Sequence, residues 1–184
     1  MKEEWIREPE TVYSGRVLSV CAGEVRLEDG TVAQREVVRH SGSVAIVPVL
    51  DDAVVLVRQF RITIEREIDE LAAGRIDEGE TPEQAARREL EEELGYVAER
   101  MVPGSSYYSS VGFLDEVLHI FLAFGLKQTQ ARPEDDERIA RVFVPLEEVR
   151  ETLAANVLDD SKTIIGLWDL VSYLDHAGRE EGGS

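Results

Sequence analysis

The sequence predicts a mixed α/β protein of the α+β kind, built around one well-buried core. Its 184 residues are enough for one such core and too few for two generous domains. Runs rich in β-branched residues are interleaved with three segments that carry the start and stop residues of helices. These segments lack the regular strand–helix–strand rhythm of a parallel sheet, which favours a mixed arrangement.

The first strands are predicted near the N-terminus. Residues 12–40 alternate apolar and polar side chains in short runs, and Asp29–Gly30 provides an Asp-Gly turn signal between two of them. We expect about three antiparallel strands here, within an N-terminal subdomain formed by residues 1–41. The main domain is predicted over residues 42–177, and residues 178–184 are expected to be a disordered tail because they show no periodicity.

The central strands are predicted in residues 43–61, which hold two nearly continuous apolar runs that meet at Asp51–Asp52. Runs of this kind indicate strands buried in the middle of a sheet. Two further strands are predicted at residues 116–126 and 138–146.

Three helices are predicted. The first extends from about Pro82 to Leu94, because Thr81 is a favoured N-cap, proline is favoured at the first helical position and Gly95 is a favoured C-terminal stop. The other two are predicted at residues 145–155 and at Lys162–Leu174, the last with Ser161 as its N-cap.

The composition is strongly acidic. Asp and Glu number 38 against 20 Lys and Arg, which gives a formal net charge of −18. Such a field repels a phosphate backbone, so nucleic acid is not expected as a partner. A small phosphorylated substrate remains compatible where a divalent cation or a few arginines reverse the sign locally.

The remaining composition excludes several classes of protein. No stretch reaches the apolar length of a membrane span, and the charged N-terminus lacks the apolar segment of a secretory signal, so no membrane partner is expected. Cys21 is the only cysteine, which excludes an intramolecular disulfide and a cysteine-based zinc site. It is expected to pack as a small apolar side chain. The cytoplasm is the expected compartment.

The stretch Gly74–Tyr96 concentrates carboxylates on one predicted helix. At about 100° per residue, Glu92 and Glu93 flank Glu89 on a single face. Like charges this close destabilise an isolated helix, but a hard divalent cation reverses that sign because Mg²⁺ prefers oxygen ligands. Arg88, four residues before Glu92, is placed to hold that carboxylate in position. For an isolated acidic run, a solvated helix face is the commoner explanation.

The residues around these carboxylates decide between the two explanations. They are, in order, Gly74, Glu80, Arg88, Glu89, Leu90, Glu92, Glu93, Gly95 and Tyr96. Their spacing resembles the motif of the Nudix hydrolases: Gly, five residues, Glu, seven residues, Arg-Glu, an aliphatic residue, any residue, Glu-Glu, any residue, Gly and a bulky apolar residue. Only the aromatic Tyr96 departs slightly from that pattern.

The resemblance implies a strand, loop and helix that hold two or three Mg²⁺ or Mn²⁺ ions against a diphosphate, which water then cleaves. Glu89 and Glu93 are implied as the principal ligands, with the backbone carbonyl of Ala73 completing a site. Glu92 is implied as a third or water-mediated ligand and as a candidate catalytic residue. Gly74 is expected to permit a tight turn. The other structural residues implied by the motif are Glu80, Arg88 and Gly95.

The residues before the motif resemble one branch of the family, the ADP-ribose pyrophosphatases and nucleotide-sugar diphosphatases. The matching segments are VLVRQFR and ELAAG. By this resemblance Arg61 contacts phosphate, a role that suits a forked donor, and an ordinary surface arginine is the alternative. Glu70 and Arg75 are likewise implied to bind substrate, whereas Arg58 is expected to be structural.

The residues after the motif, YYSSVGFLDEVLHIFLA, resemble the same branch. Glu116 is implied as a substrate-side glutamate, and Gly112 as part of a loop that approaches the substrate. Ala72 and Val111 stand where the branch usually has proline, and the second proline customarily marks a preference for ADP-ribose. Val111 therefore leaves other nucleotide sugars open.

An acidic loop, RPEDDERIA, precedes the last predicted strand. The branch places a mobile glutamate there, as a base or as a ligand for an additional metal ion. Counting back from Pro145, Glu137 takes that place, and Glu134, Asp135 and Asp136 are alternatives in the same loop. A base need only reach the attacking water in the closed complex, so a loop position is suitable.

Taken over most of the chain, the resemblance implies a Nudix α/β/α sandwich around a mixed sheet, preceded by the antiparallel strand subdomain. The implied reaction is hydrolysis of the pyrophosphate bond of a nucleoside diphosphate sugar, with ADP-ribose converted to AMP and ribose 5-phosphate as the favoured case. Members of the branch are typically homodimers with exchanged N-terminal strands. Trp5 is a candidate to stack on the base across such a dimer.

Two alternatives stay open. The substrate is another compound, such as GDP-mannose, UDP-glucose or a dinucleoside polyphosphate, or the protein is a non-catalytic sensor of a nucleotide sugar. Such regulators usually lose motif carboxylates or carry an added DNA-binding domain. The carboxylates of the motif are all present here, which favours an enzyme.

Overall fold

The computed structural model describes residues 2–132 and 138–181, with side chains as far as residue 177. The chain divides into two compact units. The first unit consists of residues 1–42 together with residues 107–117, and the second of residues 43–106 together with residues 118–184.

The first unit contains a four-stranded antiparallel sheet. Its strands are β1 (Glu3–Trp5), β2 (Glu10–Ser14), β3 (Ser19–Leu27) and β4 (Val32–Arg39). All three other strands pair with β3. The predicted turn joins β3 to β4: Gly30 has a φ of 87°, and Asp29 Oδ1 accepts a hydrogen bond from the Thr31 N–H at 2.9 Å. The antiparallel sheet is confirmed, with one strand more than expected because β1 has only three residues.

Residues 107–117 are held in the first unit by hydrogen bonds to the end of β4. The Val38 N–H donates to the carbonyl of Phe113 at 2.7 Å. The Asp115 carboxylate accepts one bond from the Arg39 guanidinium and one from the backbone N–H of His40, each at 2.9 Å. This loop therefore has its own fixed backbone position within that unit.

The second unit contains a seven-stranded mixed sheet. Its strands are β5 (Ser43–Leu50), β6 (Ala53–Arg61), β7 (Arg66–Glu70), β8 (Ala72–Arg75), β9 (Tyr96–Tyr108), β10 (Val117–Gln128) and β11 (Ala140–Pro145). The order is β11-β6-β5-β10-β9, with β7 paired to β6 and β8 paired to β5. The pair β5–β10 is parallel, whereas β6 runs antiparallel to both β5 and β11.

Helices cover both faces of this sheet. They are α1 (Pro82–Leu94), α2 (Val149–Ala154), which follows a 3₁₀ turn at Leu146–Glu148, and α3 (Ser161–Glu181). Val44 and Ile46 of β5 belong to the buried cluster that contains the apolar face of α1. The alternate residue Val47 faces α3, because a Cβ on Gly166 would lie 3.0 Å from it. The sheet is therefore the middle layer of an α/β/α sandwich, and the predicted fold class is confirmed.

The predicted helix boundaries hold best for α1, whose first and last residues are those expected. The last helix was predicted to stop at Leu174 behind Ser161 as N-cap, and both points are wrong. Helix α3 continues to Glu181, and Asp160 caps it: its Oδ2 accepts a hydrogen bond from the Thr163 N–H at 3.0 Å. Of the predicted tail, residues 182–184 lie outside the described residues. Among the helices of the described chain, none is long and apolar enough to cross a membrane.

Candidate active site

Helix α1 is fixed at both ends by local contacts. At its start, Thr81 Oγ1 accepts a hydrogen bond from the Gln84 N–H at 3.3 Å, and Gln84 Oε1 accepts one from the Thr81 N–H at 2.8 Å. At its end, Gly95 adopts the left-handed conformation with φ 64°, which a residue with a Cβ rarely takes. The acidic run is therefore on a helix whose register is set by its own sequence.

Helix α1 carries one carboxylate into its buried face. Ala86, Leu90 and Leu94 of that face are fully buried, and Glu93 is 6% exposed. A charge at such a position requires cationic compensation. The guanidinium of Arg61 supplies part of this compensation. Its pKa is raised chiefly by the hydrogen bond to Glu70 and, to a smaller extent, by electrostatic attraction to Glu93.

Arg88 donates hydrogen bonds to the three other carboxylates of this region, those of Glu80, Glu89 and Glu92. Its Nε and Nη2 donate to the two oxygens of Glu80 at 3.0 Å each. Its Nη1 donates to Glu89 at 2.6 Å and to Glu92 at 3.0 Å, and Nη2 also donates to the carbonyl of Arg75 at 2.9 Å. The predicted contact between Arg88 and Glu92 is thus present, as part of a larger network.

This network shifts the titration of its members. The bonds to Glu80 first, and those to Glu89 and Glu92 after it, hold the pKa of Arg88 far above the ordinary arginine value. In return, the hydrogen bonds from Arg88 lower the pKa of Glu80, and the backbone N–H of Asp77 adds to the effect. Glu80 and Arg88 therefore remain an ion pair at neutral pH and fix the loop before α1.

Gly74 is required by the close approach of Glu89. A Cβ built at Gly74 would lie 1.9 Å from Glu89 Oε1, far inside any tolerated contact. Gly74 lies within strand β8, paired with Val44, and is not among the glycines with positive φ. The expected tight turn at Gly74 is therefore wrong, and the glycine instead leaves the space that the Glu89 carboxylate occupies.

The donors gathered here are all oxygen atoms. Glu89, Glu92 and Glu93 provide carboxylates on α1, and Ala73 provides a carbonyl in the adjacent strand β8. Hard divalent cations such as Mg²⁺ prefer this set, so the residues fit such an ion. Within residues 2–132 and 138–181, however, no three His, Cys, Asp or Glu side chains are grouped tightly enough to hold a metal. Between Glu89 and Glu92 lies a cation of the protein itself, Nη1 of Arg88.

A second charged network lies behind Arg61. Its Nε donates to Glu70 Oε1 at 2.6 Å, and Lys162 at the start of α3 contacts the other Glu70 oxygen at 2.5 Å. Lys162 is also 3.0 Å from Asp160. Thr163, fully buried, accepts a hydrogen bond from the Leu71 N–H at 2.9 Å. These contacts fasten the ends of β6 and β7 to the first turn of α3.

A cavity of about 500 Å³ opens beside Glu93. Three arginines, Arg58, Arg138 and Arg141, contribute to its wall together with Glu67. Arg58 is held by Asp69 through two hydrogen bonds of 2.6 and 2.8 Å, and Arg141 lies over the ring of Tyr96. The wall thus carries both signs of charge, because Glu67 and Glu93 line the same cavity as the three arginines.

Comparison with known proteins decides the family. The NUDIX domain matches residues 39–165, which include the whole of α1 and the strands around it. The chain belongs to the Nudix hydrolase family. Over 157 residues it is 38% identical to the ADP-ribose pyrophosphatase of Bacillus subtilis (strain 168), covering 84% of this chain and 85% of that protein. Over 168 residues it is 37% identical to the methanol dehydrogenase activator of Bacillus methanolicus, covering 90% and 91%.

The solved structures show the same fold. The crystal structure of an ADP compounds hydrolase matches with a TM-score of 0.87 and 23% identity, and the match covers 97% of each chain. At this identity the likeness shows the Nudix fold alone. Together with the family, the relatives support hydrolysis of a nucleoside diphosphate linkage as the class of reaction.

The Nudix residues predicted from the sequence fall into three groups. The first group belongs to the second unit. Its members lie on α1 and β8 and in the loop between them, or at the ends of strands β6 and β7. Gly112 and Glu116 belong to the first unit. There Glu116 accepts a hydrogen bond from the Ser109 hydroxyl at 2.6 Å, and a Cβ on Gly112 would meet no atom within 4 Å. The predicted base, Glu137, and its alternatives Glu134, Asp135 and Asp136 lie outside the described residues.

Sequence reasoning missed Asp160, Lys162 and Thr163. The segment DSKT shows only a helix start, and its N-cap was placed one residue too late. The partner of Lys162, Glu70, is 92 residues away in the chain, so no local pattern reveals the pair. A lysine in the first helical turn is usually exposed, so the sequence gives no signal that the side chain of Lys162 is only 13% exposed.

Proposed function

We propose that this Nudix hydrolase is a metal-dependent pyrophosphohydrolase of nucleoside diphosphate sugars, and that ADP-ribose is its favoured substrate. Water attacks one phosphorus of the pyrophosphate, the bond from that phosphorus to the bridging oxygen breaks, and the products are AMP and ribose 5-phosphate. The observation that carries the proposal is the carboxylate network of α1, in which Glu89 and Glu92 are held by Arg88 beside the buried Glu93.

The residues of the network have separate tasks. Glu89 and Glu93 would hold two or three Mg²⁺ or Mn²⁺ ions, with Glu92 and the Ala73 carbonyl completing the ligands. When bound, such ions neutralise a diphosphate and lower the pKa of the attacking water. Arg88 keeps Glu89 and Glu92 at fixed positions, which limits the reorganisation needed at the moment of reaction.

Arg61 is the proposed contact to the diphosphate. Its Nε is occupied by Glu70, and its side chain is 41% exposed, so the remaining guanidinium nitrogens can serve an anion. Arginine suits this role because its fork matches two phosphate oxygens. Arg75 is proposed as a further substrate contact; its carbonyl is held by Arg88. Gly112 and Glu116 are proposed on the substrate side, and Glu137 or a neighbouring acidic residue as the base.

The substrate preference rests on the relatives and is opposed by one residue. The Bacillus subtilis relative is named an ADP-ribose pyrophosphatase, and it matches most of both chains. A relative of nearly the same identity is named a methanol dehydrogenase activator. Val111, where a proline is customary for ADP-ribose enzymes, favours a different nucleotide sugar such as GDP-mannose or UDP-glucose as the second candidate.

Product analysis by ion-exchange chromatography tests the proposal. ADP-ribose, GDP-mannose, UDP-glucose and diadenosine polyphosphates are each incubated with the protein and Mg²⁺. The same reactions are run with Glu93→Gln and with the control Glu91→Gln, whose side chain is exposed on the same helix. We expect AMP from ADP-ribose with the native protein and the control, and none with Glu93→Gln. Rapid cleavage of another compound instead would replace ADP-ribose, and tight binding without any turnover would support a sensor.

We also propose that the protein is a cytoplasmic homodimer in which the N-terminal strands are exchanged and Trp5 stacks on the substrate base. Light scattering coupled to size-exclusion chromatography gives the oligomeric state directly. A mass of one chain, 20.6 kDa, at all concentrations would contradict the dimer. Trp5→Ala is expected to weaken substrate binding while leaving a dimer intact.

A further inference from the structure

Four side chains of alternating charge connect β6, β7 and the start of α3. Arg61 contacts Glu70, Glu70 contacts Lys162, and Lys162 contacts Asp160, with N···O distances of 2.6, 2.5 and 3.0 Å. Each oxygen of the Glu70 carboxylate is taken by a different cation, Oε1 by Arg61 and Oε2 by Lys162. The position of one cation is therefore linked to the presence of the other.

The inner part of this chain is shielded from water. The side chain of Glu70 is 2% exposed and that of Lys162 is 13% exposed, whereas that of Arg61 is 41% exposed. A carboxylate as buried as Glu70 depends on its cations, because few water molecules can replace them. Lys162 is directed to two carboxylates behind the exposed arginine. Lys162 thus contacts Glu70, the carboxylate that holds Arg61, and not the exposed guanidinium of Arg61 itself.

We propose that Lys162 is a positioning residue for substrate binding: it holds Glu70 so that Arg61 presents its guanidinium to the diphosphate. This inference rests on the proposed function in one respect, the role of Arg61. With Lys162 present, Glu70 offers Arg61 a single oxygen. Without Lys162, both Glu70 oxygens become available, and a carboxylate with two available oxygens engages an arginine through two parallel hydrogen bonds. A second N–H of Arg61 then donates to Glu70 and is no longer available to the diphosphate.

Glu70 takes the same role by this reasoning. It was expected to bind substrate, but its oxygens are occupied by Arg61 and Lys162 and its side chain is buried. Glu70 acts on the substrate through Arg61. The network also connects substrate affinity to α3, because Lys162 lies in the first turn of that helix, directly after the capping residue Asp160.

The first experiment observes Arg61 without any substrate. In ¹H–¹⁵N spectra of the arginine side chains, the Nε–H of Arg61 is identified by its disappearance in Arg61→Lys. Because this N–H donates to Glu70, we expect a resolved signal that exchanges slowly with water in the native protein. In Lys162→Met we expect the signal to shift, as the carboxylate rotates. An Arg61 signal unchanged in a folded Lys162→Met would overturn the proposal.

The second experiment measures hydrolysis of ADP-ribose. We expect Lys162→Met to raise KM by about tenfold or more, the scale of one charge-assisted hydrogen bond, with a smaller change in kcat. In a double-mutant cycle with Arg61→Met, the effect of Lys162→Met should disappear, because it acts only through Arg61. The control is Arg66→Met, which breaks the exposed ion pair with Asp159 and should leave KM unchanged.

Each outcome has one meaning. Additive effects of the Arg61 and Lys162 substitutions would show that Lys162 touches substrate itself and would overturn the positioning role. A loss of thermal stability with KM unchanged would leave Lys162 purely structural. If Lys162→Met does not fold, Lys162→Gln keeps a donor to Glu70 without the charge and should show the same shifts at smaller size. If the native protein does not cleave ADP-ribose, the proposed function fails, and the Arg61 signal still decides this inference.

Discussion

Replacing Gly74 with alanine should strongly reduce activity without unfolding the protein. The added Cβ would lie 1.9 Å from Glu89 Oε1 and 2.0 Å from its carboxyl carbon. Ordinary contacts of carbon atoms begin at about 3.5 Å, so the carboxylate has to withdraw by roughly 1.5 Å. The atoms that must move are the end of a side chain, so the strand itself can stay in place.

The two consequences differ in size. A displacement of about 1 Å at a catalytic group costs on the order of 100-fold in rate, so we expect kcat to fall by about that factor. The free energy of unfolding should change by no more than about 1 kcal/mol, because alanine also restricts the unfolded chain. For a protein of this size that corresponds to a change of about 2–4 °C in Tm.

The assay compares initial rates of nucleotide-sugar hydrolysis and thermal unfolding of the same preparations. Gly104→Ala is the matched control, since Gly104 is also a strand glycine whose added Cβ would meet a carboxylate, 2.6 Å from Asp169 Oδ2. Asp169 is not part of the proposed site, so this variant should keep its rate whatever its Tm. A Gly74→Ala enzyme with a rate within twofold of the native one would refute the role given to the space beside Glu89.

Three further predictions concern Glu80, the helix cap Asp160 and divalent ions. The pKa of Glu80 is lowered in the folded protein, so the unfolded chain binds more protons in acid. The ionised Glu80 therefore contributes its full stabilisation above the unfolded pKa of 4.5, and this stabilisation is lost as the pH falls through the folded pKa. Acid titration of unfolding should therefore be less steep below pH 4.5 in Glu80→Gln, and an unchanged slope would contradict the pairing with Arg88. Asp160→Ala should lower the free energy of unfolding by about 1 kcal/mol more than Asp160→Asn, which keeps the cap, whereas Ser161→Ala should have little effect in the same urea titration. Removal of divalent ions with EDTA should abolish hydrolysis, Mg²⁺ should restore it and raise Tm, and full activity in EDTA would remove metal from the proposal.

The parts of the fold that depend on neighbouring residues were predictable. Helix α1 has its cap, its proline and its terminal glycine within the helix or next to it, so its ends follow from the sequence. The nearness of Glu89 and Glu92, which both accept a hydrogen bond from Arg88, follows from helical spacing in the same way. The continuous apolar runs of β5 and β6 also indicated burial on both faces, and β5 is buried along all but its last residue.

The parts that depend on distant partners were missed. Strand β9 contains Pro103–Gly104, a turn signal, and was not predicted; it lies at an edge of the sheet, where a proline is tolerated. Strands β7 and β8 are short, and exist through pairing with β6 and β5. The end of α3 was placed too early because the last residues of the chain show no periodicity, although the helix continues to Glu181.

The residues of the candidate site also differ in whether they depend on sequence neighbours or on distant partners. The carboxylates of α1 and their contact to Arg88 lie within one short stretch, and the sequence indicated both. Gly74 was marked for the wrong reason, since its role depends on where Glu89 points in the folded chain. Lys162 was missed altogether because its burial results from tertiary packing.

The hydrogen bond from the Leu71 amide to Thr163 makes one backbone proton a reporter on the start of α3. Leu71 lies between β7 and β8, in the segment that leads to Gly74, while its acceptor belongs to α3. Exchange of this proton with deuterated water requires the start of α3 to leave the sheet, because both residues are fully buried. Its exchange rate thus gives the free energy of detaching that helix start, in the resting protein and without a substrate. If that free energy is well below the value for global unfolding, the support of Arg61 opens and closes many times in the lifetime of each folded molecule.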